Sequence, residues 1–188
     1  MSNDRPKRSQ ASPDHILYPR HFLVLAGFSA LVAAITLLHL STDLSASFAL
    51  YGALHATALV VALRAVRSVW RMCLFIAMAA ALTAITLRAG IFAGQLSGAL
   101  ARTIAPYAVL GLSAAAGAVA YGILIRLFGI YELSANSLTV VAIGCMVATW
   151  AALFTLAHIH SLGPWWLALL WWHAFSGGLW YFDRRQYF

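Results

Sequence analysis

The chain has 188 residues, of which 63% are hydrophobic and 9% charged, with a net charge of +7. Soluble domains carry about 25% charged residues, so this composition excludes an ordinary soluble globule and points to lipid, where backbone polar groups must close on themselves in helices or barrels. The apolar runs are continuous rather than alternating, which disfavours a barrel. The basic residues lie between apolar runs, as topology signals do, which disfavours nucleic-acid binding.

Residues 1–21 read as a basic cytoplasmic tail containing Pro6, Pro13 and Pro19. The apolar stretch that follows, 22–40, exceeds the roughly 7–15 residues of a signal-peptide core, so it reads as an uncleaved first helix. Further spans are expected at 46–63, 69–87, 104–128, 136–160 and 164–182, each near the ~20 residues that cross the hydrocarbon core. Together they make 22–182 a single all-α, six-helix transmembrane domain, with 183–188 as a cytoplasmic C-terminal tail. Ser134 or Asn136 is suited to cap the fifth span, and Pro164 suits the first turn of the sixth.

Between the third and fourth spans, 88–103 (RAGIFAGQLSGALART) is short and glycine-rich. Arg88 and Arg102 bracket it, which favours an interfacial helix over a re-entrant loop. Placing both termini in the cytoplasm puts Arg5, Lys7, Arg8, Arg20, Arg64, Arg67, Arg71, Arg126, Arg184 and Arg185 inside, ten of the twelve basic residues. That bias matches the positive-inside rule. With no organellar transit pattern, a bacterial inner (plasma) membrane is the expected location.

The fourth span is crowded with small residues, including Gly111, Ala114, Ala118 and Gly122. Its Ser113 and Gly117 form a small-xxx-small pair that lets helices approach closely, either at the bundle centre against the alanine-rich third span or in a homo-oligomer. Trp165, Trp166, Trp180 and Tyr181 are placed for interfacial belts. Trp171 and Trp172 lie deeper, at a helix contact or beside a flat cofactor or lipid. Cys73 and Cys145 sit in apolar runs without metal-site spacing and read as small buried hydrophobes.

No acidic residue falls inside a span, which weighs against carboxylate-driven pumps, aspartyl proteases and carboxylate metal sites. Histidine is the unusual feature. His55 and His173 fall near mid-span on different helices and are candidate ligands for haem b. His39, His158 and His160 fall at the outer ends and are candidate ligands for copper or zinc. Against both stands the plain alternative of interhelical hydrogen bonding. A serine–histidine hydrolase using Ser97, Ser113 or Ser176 has no spacing that selects it.

Three functions follow in order of preference. The first is a non-catalytic subunit or accessory protein packed among other membrane subunits in the bilayer. The second is a haem- or metal-bearing electron-transfer protein. The third is a small channel or transporter for a neutral or anionic solute, drawn by Arg88 and Arg102 and gated by histidine.

Overall fold

The computed structural model describes residues 23, 26–28, 30–31, 44–63, 68–100, 105–130, 133–159 and 165–185, and all of the regular structure among them is α-helical. Helix α1 is described at residues 23, 26–28 and 30–31. It is followed by α2 (Leu44–Leu63), α3 (Val69–Leu100), α4 (Ala105–Leu127), α5 (Ala135–His158) and α6 (Trp165–Arg185).

Local signals set several boundaries. Ser68 offers its carbonyl to the amide of Met72 at 3.0 Å, opening α3. At the end of α4, Gly129 takes a φ of 66°, the left-handed conformation that glycine enters without a Cβ penalty. The Ile130 amide then reaches back to the Ile125 carbonyl and the Gly129 amide to the Arg126 carbonyl, each at 3.0 Å. This paired pattern satisfies carbonyls that the helix end would otherwise leave open. Ser134 is the N-cap of α5: its Oγ accepts from the Ser137 amide at 3.1 Å, in an extended backbone conformation.

From α2 onward each helix packs on the next in sequence, and α6 returns to touch α2. Neighbours run antiparallel. The Arg88 Nε, late in α3, donates to Ser45 Oγ at the start of α2 (2.8 Å), and the Trp150 Nε1, late in α5, donates to the Tyr107 carbonyl at the start of α4 (3.0 Å). The core between them includes Phe28, Leu59, Phe75, Tyr121, Ile125, Trp172, Phe175 and Leu179.

Small residues sit at the closest seams. A Cβ on Gly52 would meet the Thr83 side chain and the Ala79 carbonyl oxygen (2.9 Å) across α2 and α3. One on Gly117 would lie 2.7 Å from Thr86 Cγ2 across α4 and α3. One on Gly178 would lie 2.7 Å from Val141 Cγ2 across α6 and α5. The Ser113–Gly117 face of α4 is therefore turned to α3 of the same chain. Without a large hydrophobic driving force between helices in lipid, such van der Waals closeness is the main attraction available.

Three described helical stretches, Val69–Leu96, Tyr107–Leu127 and Ala135–His158, are long and apolar enough to cross a membrane, and Ser45–Val61 is a shorter apolar helix. In α6, tryptophan, histidine and glycine take places that leucine and valine fill elsewhere, which lowers its hydropathy. Residues 88–100, expected as a separate interfacial or re-entrant segment, instead continue α3 without a break; residues 101–104 lie outside the described ones. With 32 residues α3 is about 48 Å long at 1.5 Å per residue, against a hydrocarbon core of about 30 Å.

Candidate functional site

The buried polar cluster of the bundle centres on His55, twelfth of the 20 residues of α2 and fully buried. Its Nδ1 lies 3.1 Å from Tyr121 Oη of α4, and its Nε2 lies 2.7 Å from Ser176 Oγ of α6. Tyr121 is 1% exposed and Ser176 2%, so among the described residues the imidazole and the two hydroxyls satisfy one another.

Aromatic rings enclose the imidazole. Trp172 stacks on it with centroids 4.2 Å apart and planes 20° apart, and Phe28 of α1 meets it edge-on at 5.4 Å. Phe175 stands edge-on at 6.2 Å. The helical repeat explains the grouping on α6: Ala168, Trp172, Phe175, Ser176 and Leu179 fall at three- and four-residue spacings, so they share the inward stripe.

A neutral imidazole has one N–H and one lone-pair nitrogen, and two arrangements satisfy this cluster. Either Nδ1–H donates to Tyr121 and the Ser176 hydroxyl donates to Nε2, or Tyr121 donates to Nδ1 and Nε2–H donates to Ser176. In both, donation runs in one direction through the three residues, tying α2 to α4 and to α6. The order serine, histidine, orienting group is also that of an activated nucleophile. Burial separates it from that role: Tyr121 and Trp172 line the neighbouring chamber, while His55 and Ser176 lie behind them.

That chamber has a volume of about 80 Å³. It runs from the end of the bundle where α2, α4 and α6 begin, at Phe48, Leu110 and Leu167, inward to Tyr121 and Trp172. Thr83, Thr86 and Thr149 contribute hydroxyls to its wall, and each donates to the carbonyl one turn back at 2.6, 2.8 and 2.9 Å. Trp171 also lines it. The Trp171 indole N–H donates to the Ala114 carbonyl at 3.2 Å, and its ring stacks on Phe175 at 5.6 Å, so it serves a contact between α6 and α4.

The residues marked in the sequence as ligands fall in different places. His173 is half-buried, and its Nδ1–H donates to the Leu169 carbonyl at 2.7 Å on its own helix. His55 has both nitrogens engaged, so iron ligation there requires breaking the bond to Tyr121 or Ser176, and a haem macrocycle would have to displace the rings around it. The pair as arranged does not fit haem. His158 is exposed, donates to the Phe154 carbonyl at 2.8 Å and lies against the Phe154 ring at 4.2 Å. His39 and His160, the other members of the outer trio, lie outside the described residues. Among the described residues no three His, Cys, Asp or Glu side chains gather as a metal site would require.

Of the three serines weighed as nucleophiles, Ser176 is the one beside a histidine, and Ser113 faces Gly90 across the α3–α4 seam. Ser97 belongs to α3, and its side chain lies outside the described residues. Tyr121 was not legible as a site residue, since a tyrosine among small residues in a span carries no signal of its partner. Comparison with protein family models, with curated proteins and with solved structures finds no match.

Proposed function

We propose that the chain is a multi-pass protein of a bacterial plasma membrane, crossing it six times with both termini cytoplasmic, and that it serves as a non-catalytic scaffold subunit in a larger membrane assembly. The observation that supports this most directly is the use of His55. Both its nitrogens hold α2 to α4 and α6, which is what a rigid scaffold needs and what a ligand to a redox centre cannot spare. Short intervals between helices agree with it: seven residues separate α4 from α5 and six separate α5 from α6.

The test is gentle purification in mild detergent, followed by an absorbance spectrum and a second sizing column. The expected result is a colourless protein that retains other membrane subunits at fixed stoichiometry through both steps. A reducible Soret band near one haem per chain, lost in His55→Ala, would establish the electron-transfer reading instead. Recovery as a lone colourless chain from native membranes would remove the subunit reading.

A further inference from the structure

We propose that the central chamber is a binding site for a small apolar molecule, or the end of a lipid chain, that carries one hydrogen-bond acceptor such as a carbonyl or ester oxygen. This goes beyond the scaffold role and concerns the chamber beside the His55 cluster, with Tyr121 shared between the two. The chamber's volume of about 80 Å³ is several times the ~10–15 Å³ that one water occupies. Leucine, alanine and aromatic side chains make most of its wall, and waters need two to four polar partners each. An apolar occupant fits such a wall better than a water cluster. A closed apolar cavity of about 150 Å³ is known to take benzene, so a chamber about half that size that is only partly enclosed suits a six-membered ring or a few methylenes.

Two hydroxyls supply the polar requirement. The wall threonines have their protons committed to helix carbonyls. Ser113 differs: it lines the chamber and makes no hydrogen bond with another described residue. Tyr121 is the second. When His55 Nδ1–H donates to its oxygen, the phenol proton is released for another acceptor, while Ser176 completes the imidazole from the other side. A ligand oxygen in the chamber would select this arrangement. The few polar groups in an otherwise apolar concavity are what fix orientation in small-molecule sites.

Cyclohexanone and methylcyclohexane have the same ring and the same number of heavy atoms but differ in the acceptor, and both serve as probes on the full chain in detergent. Trp171 and Trp172 line the chamber, so occupancy is read from tryptophan fluorescence and from the rise in melting midpoint. The expected result is saturable binding of both, with cyclohexanone at least fivefold tighter. Ala114→Leu fills the chamber while keeping the backbone carbonyl that Trp171 uses, and should abolish saturable binding of both probes. The Ser113→Ala, Tyr121→Phe double variant should bind the two probes alike.

No saturable response in the parent protein, or an Ala114→Leu protein that folds and binds like the parent, would overturn the site. Discrimination persisting in the double variant would overturn the acceptor assignment. Solvent extraction separates the two sources of ligand. One lipid per chain, missing from Ala114→Leu, identifies a chain end, whereas a lipid-free protein that still binds cyclohexanone identifies a free solute.

Discussion

His55 shows how one residue in mid-helix sets the cost of nearby substitutions. Interhelical hydrogen bonds in membrane bundles contribute about 0.6 kcal/mol on average and about 1.7 at most. Ser176→Ala removes one such bond and leaves His55 its bond to Tyr121, so it should cost about 0.6 kcal/mol in a mixed-micelle unfolding titration. His55→Ala removes both bonds, orphans two buried hydroxyls and opens a cavity beneath Trp172. Its cost should be about 3 kcal/mol, in the range of large-to-small core changes. Because donation runs in one direction through the imidazole, Tyr121→Phe and Ser176→Ala should not add. A double-mutant cycle returning strictly additive values would show that the three groups act as separate pairs. The sequence marks His55 as unusual because a histidine in an apolar run is rare. It cannot mark the partners, which lie 66 and 121 positions away and face His55 only through the rotation of two other helices.

At the scale of helices, glycine does two different jobs. Gly52 lies where a Cβ would strike the Thr83 side chain and the Ala79 carbonyl, whereas a Cβ on Gly144 would meet nothing within 4 Å. Gly52→Ala should therefore lose about 1–3 kcal/mol through overpacking. Gly144→Ala should gain about 0.5–1 kcal/mol through helix propensity. Melting midpoints of the two variants moving in the same direction would show that the seam between α2 and α3 is looser than described. The helices themselves were largely legible, since long apolar runs leave few other ways to satisfy the backbone. In the stretch 88–100, Gly90, Gly94 and Gln95 lower the hydropathy, so its continuity with the third span is not evident from composition. Gly90 and Gly94 are buried, and Gly90 lies against Ser113 of α4. The helix therefore continues for packing reasons that an average over composition does not reveal.

For the whole molecule the proposed sidedness follows from the distribution of basic residues between the apolar runs. Single-cysteine variants in a background lacking Cys73 and Cys145 test it with a membrane-impermeant maleimide on intact cells. Ser41→Cys and Ser161→Cys should label directly, while Ser12→Cys and Asn136→Cys should label only after permeabilisation. The opposite pattern would invert the topology, and direct labelling at both ends of one helix would remove a span. The six-span reading is a statement about the number of crossings, and charge bias alone limits it to an even number when both termini share a side.

The bond between His55 and Ser176 also has a consequence for how the protein is made. Most of the helix packing of the bundle joins neighbours in sequence, so much of the structure can assemble hairpin by hairpin as the chain leaves the ribosome. His55 enters the bilayer early and lacks its serine until residue 176 has been synthesised. Until then an imidazole stands in hydrocarbon with half its hydrogen-bonding capacity unmet, a state that membrane proteases and insertases can read. A chain truncated after residue 164 should consequently be short-lived in a pulse-chase experiment, and co-expression of α6 as a separate segment should lengthen its half-life. The last helix thus acts as a completion signal, reporting on the presence of the second helix from the far end of the message.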